Sequence, residues 1–246
     1  MINYDSFLEL LDISGENRLL FFVRHSNRAK RLIFKSSIRK GFEIVLPRFY
    51  DDNWVLETVT KNKLRIEKHL VEIKEARKEL KPTSIALPST GRSWKVIYRA
   101  INDKDPAAIT ETSTTLEVRE KPGDVFWVPK VLQKWLHERA VEYLPKHLYN
   151  VSTKLKLSYN KVSIKQQKTR WGSCSIKGNI NLNRNLMLMP PEVVDYVLHH
   201  ELVHLKVLSH SSKFWKELER SFPHYKKSLD QLKYFGGNKI PEWALV

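Results

Sequence analysis

Three observations predict an α+β fold. The first half of the chain carries short alternating apolar runs separated by basic loops, with one helical stretch among them. The second half carries amphipathic stretches of helical spacing around three short strand-like segments. The pattern changes near residue 124, which places a β-rich accessory domain with one inserted helix at 1–123 and a second domain at 124–246.

In the first half, Leu19 to Val23, Leu32 to Lys35 and Phe42 to Leu46 read as strands punctuated by basic loops and Gly41, and Pro47 ends the third. Asp51 or Asp52 offers an N-cap. Trp54, Val55, Val59, Ile66, Leu70 and Ile73 then give a roughly helical spacing, so one helix is predicted to run to about Leu80 and stop before Pro82. Ser93 to Ala100 alternates Trp94, Val96 and Tyr98, as a half-buried strand does, with Thr114 to Arg119 as its partner. The polar stretch Asn102 to Thr112 between them reads as a loop.

In the second half, Val131, Leu132, Trp135, Leu136, Val141 and Leu144 mark an amphipathic helix that Pro145 is expected to kink or interrupt before it resumes towards Leu155. Strand-like segments follow at Lys161 to Gln166, Thr169 to Ile176 and Asn179 to Asn183, and Lys177-Gly178 suits a tight turn between the last two. Pro190-Pro191 opens the next helix, where a proline costs no hydrogen bond. Further helices are expected from Ser211 or Ser212 and after Pro223, the last ended by Gly236-Gly237.

Composition narrows the function classes. A hydrophobic content of 41% and a charged content of 28% are those of a globular domain. No run approaches the roughly 18 apolar residues that span a bilayer, and Met1 to Glu16 lacks a basic leader and a small-residue cleavage site. The single Cys174 excludes an internal disulfide and fits a reducing compartment, so a soluble cytoplasmic protein with no membrane partner is expected. The net charge of +16 attracts polyanions, nucleic acid foremost. Lysines are scattered over the whole chain, as on solvated faces. A partial cluster at Arg24, Arg28, Lys30, Arg31, Lys35, Arg39 and Lys40 lacks the interleaved aromatics of a single-strand platform.

The chemistry lies in His200-Glu201-Leu202-Val203-His204. Histidines four apart share one side of a helix and can hold one metal ion, while the glutamate between them reaches a metal-bound water. A catalytic zinc takes three protein ligands and keeps a position for water. His210 is the preferred third ligand, because Leu205 to Ser209 is long enough to leave the helix and turn back; Glu217, Glu219 and His224 are the alternatives. Zinc lowers the pKa of its water to about 7, and Glu201 would take that proton during attack on a peptide carbonyl. Histidine pairs at this spacing also occur merely as polar stripes. Here Val193, Val194, Val197, Leu198, Leu202 and Val203 make the helix apolar, and burying histidines and a glutamate unpartnered is costly; a metal removes that cost. His199 points elsewhere and reads as structural.

Several linked segments resemble the YgjP-like metallopeptidases, relatives of the SprT-like proteases within the gluzincin-type zinc peptidases. They are Arg170-Trp171-Gly172-Ser173-Cys174-Ser175, Gly178 to Asn183, Pro190, His200 to His204, His210-Ser211, Phe214-Trp215, Pro223 and Tyr225. The likeness is best from about Trp135 to Phe235 and loose in the first half. It implies a zincin-like catalytic unit, a small antiparallel sheet beside the zinc-binding helix. It also implies that His200, His204 and His210 hold one Zn2+ and that Glu201 is the general base. Ser209 and Arg184-Asn185 depart from the family pattern at positions that bear on substrate contacts rather than on the metal.

Trp171, Gly172 and Ser173 are candidate substrate-binding residues, on a strand whose edge can pair with an extended peptide. Asn181 and Asn183 alternate on one strand face and are candidates to orient substrate. The plainer reading has Trp171 packing on the histidine helix and Cys174 as a small buried hydrophobe, and for Cys174 it is preferred over an inhibitory thiolate. Phe214 and Trp215 read as packing on the histidine helix, and Tyr225 and Arg170 are guesses for an oxyanion stabiliser. The function expected is a zinc metallopeptidase acting on protein or peptide substrates. The rivals are a nucleic-acid-associated protein with a structural zinc and a protease recruited to DNA.

Overall fold

The computed structural model describes residues 3–101 and 108–245. The chain divides into two compact units, Met1–Lys81 and Pro82–Leu245.

The first unit begins with α1 (Tyr4–Leu11), capped by the Asn3 side chain, and a 3-10 turn at Gly15–Leu20. Strands β1 (Phe21–Ser26), β2 (Ile33–Ser37) and β3 (Gly41–Pro47) then form a sheet in the order β1-β3-β2. β1 lies parallel to β3 and β2 antiparallel to it. Helices α2 (Asp52–Lys61) and α3 (Lys63–Lys78) complete the unit. Phe7, Leu11, Phe21, Phe42, Ile44, Val55, Val59, Ile66, Leu70 and Ile73 are buried together. The Asp51 carboxylate accepts from the Trp54 N–H at 2.7 Å, the expected N-cap. The predicted single helix is broken at Asn62, which leaves helical geometry and turns its amide onto the Thr58 carbonyl at 2.8 Å. With three helices around one three-stranded sheet, this unit is less β-rich than the sequence reading proposed.

The second unit carries a four-stranded sheet in the order β4-β5-β7-β6, from β4 (Ser84–Leu87), β5 (Arg92–Ala100), β6 (Ile109–Glu111) and β7 (Thr115–Glu120). β7 does pair with β5, in parallel. The expected loop Asn102 to Thr112 falls in part on residues 102–107, outside the described residues, while its far end forms β6. The sheet buries Ile85, Leu87, Trp94, Val96, Leu116 and Val118 with Leu132, Trp135 and Leu136 of the long helix α4 (Trp127–Leu155). Trp94 and Trp135 meet edge to face at 5.2 Å, and the Trp135 indole N–H donates to Glu111 Oε2 at 2.8 Å. Shared burial of this kind is why the division falls at 81/82 and not at 123/124. Pro145 does not interrupt α4. The carbonyl it leaves without a partner is that of Val141, a residue on the exposed side of the helix, where water can satisfy it.

Strands β8 (Lys161–Lys165), β9 (Gly172–Cys174) and β10 (Asn179–Asn183) follow, in the order β8-β10-β9. β9 is much shorter than the predicted Thr169 to Ile176. The sheet is small, as expected, but mixed: β10 pairs antiparallel with β9 and parallel with β8. Gly178, at φ +71°, makes the turn into β10. Helices α5 (Pro191–Val203), α6 (Ser212–Ser221), α7 (Tyr225–Asn238) and α8 (Glu242–Leu245) close the unit. Gly236-Gly237 lies inside the last turn of α7 rather than ending it. A Cβ on Gly236 would stand 2.9 Å from the Trp171 ring, so glycine serves close approach there. No helix among the described residues is long and apolar enough to cross a membrane.

Candidate metal centre

Helix α5 is buried through Val193, Val194, Val197, Leu198, Leu202 and Val203, and this fixes the direction of its polar residues. His200 lies in its last turn, Glu201 beside it, and His204 caps its C-terminus. The chain then closes through bonds from the Leu205, Lys206 and Val207 amides back to the Leu202 and Val203 carbonyls. It turns so that His210 arrives just before Ser211, the N-cap of α6. The ligand atoms of His200, His204 and His210 all lie within 4.8 Å of one another. His200 Nε2 and His210 Nε2 are 3.0 Å apart. Two nitrogens on one tetrahedral zinc at 2.0–2.1 Å would stand about 3.3 Å apart.

The imidazoles are set by their neighbours. His204 Nδ1 lies 3.1 Å from the Val207 carbonyl, which can only accept. Nδ1 therefore carries the proton and Nε2 keeps its lone pair for the cluster. His200 Nδ1 faces the Tyr196 hydroxyl at 3.4 Å, one helical turn back, which leaves Nε2 on the cluster side. Beneath all three rings sits Phe214, fully buried, its centroid 4.9, 4.6 and 4.8 Å from those of His200, His204 and His210. Trp215 stacks on His210 and donates its indole N–H to the His210 carbonyl at 3.1 Å, and Tyr225 stacks on Trp215. Burial, together with the neighbouring His204 and His210, pushes the His200 pKa down to about 3; burial also lowers that of His204. Neutral imidazoles turned inward over an apolar floor suit a soft-to-borderline divalent cation, zinc above all.

Glu201 is 5% exposed, and its Oε2 is buried without a hydrogen-bond partner. Burial pushes its carboxyl up to about 8, with Arg170 opposing the shift. Its other oxygen presses against β9: a Cβ on Gly172 would stand 2.5 Å from Oε1 and 2.7 Å from Cγ, so only glycine fits there.

Not every residue singled out in the sequence joins this centre. Among the described residues the cluster includes neither Glu217, Glu219 nor His224, and Glu217 pairs with Lys206 at 3.1 Å. Cys174 lies outside it too; it is half-buried, and burial with the nearby Glu201 pushes its thiol up to about 11. The Trp171 ring packs on Gly236 of α7. Gly172 and Ser173 lie on β9, which has a free edge in its sheet. Asn181 donates to Ser173 Oγ at 3.1 Å. Asn183 is buried, donating to the Gln167 and Arg170 carbonyls at 2.7 and 3.0 Å, and so holds the segment that leads into β9. Arg184 is buried as well and bonds the Gln133 carbonyl and side chain, which makes it a brace to α4. Beyond Trp171 a cavity of about 600 Å³ opens, bordered by Arg170, Asn185, Gly236 and Glu242. Phe214 and Trp215, expected as packing, also face the site, and Tyr196 joins them there without a sequence expectation. The i−4 spacing of Tyr196 to His200 was the available signal.

The family model described as the YgjP-like metallopeptidase domain matches residues 30–235. Among solved structures, the metallopeptidase zymogen abylysin of Pyrococcus abyssi is 31% identical, over 37% of this chain and 92% of its own, with a TM-score of 0.34. The zymogen jannalysin of Methanocaldococcus jannaschii is 24% identical, over 38% of this chain and 95% of its own, with a TM-score of 0.33. No curated protein matches the chain.

Proposed function

Since the chain belongs to the YgjP-like metallopeptidase family, we propose that it is a zinc-dependent endopeptidase in which Glu201 is the general base. The observation that carries this reading is the convergence of His200, His204 and His210 within 4.8 Å of one another, with the Glu201 carboxylate in the adjoining turn. One zinc ion held by the three imidazoles would supply a Lewis acid for the peptide carbonyl and make water acidic enough to ionise near neutrality. The residues do the rest. Glu201, which a bound cation would return to the carboxylate form, takes the proton of the attacking water on its unpartnered oxygen and returns it to the departing amine. The Val207 carbonyl holds His204 in the tautomer that presents Nε2, and the Tyr196 hydroxyl orients His200 through Nδ1. Phe214 excludes water from beneath them.

An extended peptide would lie along the free edge of β9, at Gly172 and Ser173, with room for a side chain in the cavity beyond Trp171. Asn181 supports this edge through Ser173, and Asn183 supports it through the Arg170 carbonyl. The single cysteine suits a reducing compartment, so the cytoplasm is the proposed location. The test is metal analysis joined to a general peptidase assay. Wild type should bind one zinc per chain and cleave an unfolded protein such as casein. Glu201→Gln should keep the zinc and lose cleavage. Undiminished cleavage by Glu201→Gln would sink the assignment of the base.

A further inference from the structure

One end of the sheet in the first unit gathers groups that the metal centre does not use. β1 and β2 flank β3, so the segment 27–32 must cross from beside Pro47, the partner of Ser26, to beside Val45, the partner of Ile33. It passes the point where β3 leaves the sheet as Arg48-Phe49-Tyr50. Arg28, Lys30 and Arg31 of the crossover thereby join Arg48, and all four are exposed. None of the four forms an ion pair with a described residue; the Arg48 guanidinium lies over the Phe49 ring at 5.1 Å. The neighbouring cations are placed otherwise. Arg24 is paired with Glu43 at 2.7 Å, and Arg39 and Lys40 lie in the β2–β3 turn at the opposite end of the sheet.

The aromatic groups missing from the linear cluster are supplied by the fold. Phe49 is 81% exposed. His25, at the end of β1, stacks on Tyr50 at 5.8 Å. Together with Arg48 and Asp52 these rings border an open cleft of about 540 Å³, room enough for a nucleobase. A lone exposed phenylalanine or a basic loop is ordinary. Unpaired cations beside an exposed ring and a cleft form the two parts of a single-strand site, charge for the backbone and flat faces for the bases.

We infer that this end of the first unit binds single-stranded nucleic acid, phosphates on Arg28, Lys30 and Arg31 and a base against Phe49 and Tyr50. A duplex keeps its bases stacked and has nothing to offer the cleft. A lipid surface brings phosphate towards the Asp52 carboxylate at the cleft wall, which like charge disfavours. RNA and DNA share this chemistry. The inference stands apart from the peptidase reading, and binding should be the same in Glu201→Gln.

The experiment is fluorescence anisotropy of the full chain with labelled 12-nucleotide oligo(dT) and oligo(rU), from 50 to 300 mM KCl. At least one strand should bind, with log affinity falling against log salt at a slope of about −2 to −3 for three or four neutralised phosphates. Arg28→Glu with Arg31→Glu should lower affinity tenfold or more and flatten that slope. Phe49→Ala should weaken binding about tenfold and leave the slope alone. Arg39→Glu with Lys40→Glu, the same charge change at the far end of the sheet, should cost no more than about twofold. Should the first pair unfold the chain in a thermal melt, Arg28→Gln with Arg31→Gln reads the same contacts. The inference falls if neither strand binds at 50 mM salt or if the far-end pair costs as much as the near one. It falls equally if a duplex of the same length binds more tightly, or if the near pair weakens binding only to phosphatidylserine vesicles.

Discussion

The histidine corner of α5 and the exit of β3 treat charge in opposite ways. At the corner, polar groups are taken out of water and turned towards one another over Phe214, and Glu201 is left with a buried unpartnered oxygen. At the β3 exit, four cations stand exposed, with no acidic partner among the described residues. Burial makes the first arrangement costly until something fills it, and makes each residue there depend on its neighbours. Exposure makes the second cheap to build and nearly free to dismantle. The difference teaches where a substitution will be felt: in stability and metal affinity at the corner, and in salt-dependent association at the sheet end.

The largest effect expected is from His204→Ala. It should abolish cleavage and reduce bound zinc to well under one per chain, measured by metal analysis after desalting. A chelator should likewise lower the melting temperature of wild type, because an ion at about a thousand times its Kd adds roughly 4 kcal/mol. A variant that held zinc as tightly as wild type would break the comparison at its centre.

Gly172→Ala comes next. Its methyl meets the Glu201 carboxylate inside 3 Å, so a loss of about 1–3 kcal/mol in denaturant unfolding is expected, with cleavage lost even where zinc is retained. Tyr196→Phe should weaken zinc about 10- to 100-fold in chelator competition while leaving the fold intact, since it removes only the partner of His200 Nδ1.

Cys174 supplies a pH test of burial. Its thiol is pushed up to about 11, so the neutral form prevails at pH 7 to 8 and the thiolate appears only as pH rises towards that value. Alkylation by iodoacetamide should be slow at pH 8 and keep accelerating past pH 9.5, where an ordinary thiol has levelled off. Fast labelling at neutral pH would show an open, electropositive setting in place of a half-buried one.

The smallest effect belongs to the sheet end. Arg28→Gln and Arg31→Gln should each shift stability by no more than about 0.5 kcal/mol in thermal or denaturant unfolding. A larger loss would mean that these side chains hold structure as well as charge.

Much of the architecture was legible in the residues because the signals are local. Asp51 caps its helix, Pro190-Pro191 opens α5, β10 spans the predicted residues, and α6 starts from Ser211. The readings that changed depended on partners distant in sequence. Pro145 passes through α4 because the orphaned carbonyl lies on its exposed side, and Gly236 serves the Trp171 ring instead of a helix end. The boundary moved to 81/82 because Trp94 and Trp135 bury each other.

By itself the sequence determined the helix bearing His200, Glu201 and His204, since spacing along one helix is a property of neighbours in the chain. The tertiary structure alone decided that His210 would arrive 3.0 Å from His200, and that Gly172 would lie against Glu201. It also brought Phe49 and Tyr50 into the company of the crossover arginines. Each of these meetings joins segments whose distance along the chain says nothing about their distance in space, and packing is what sets it.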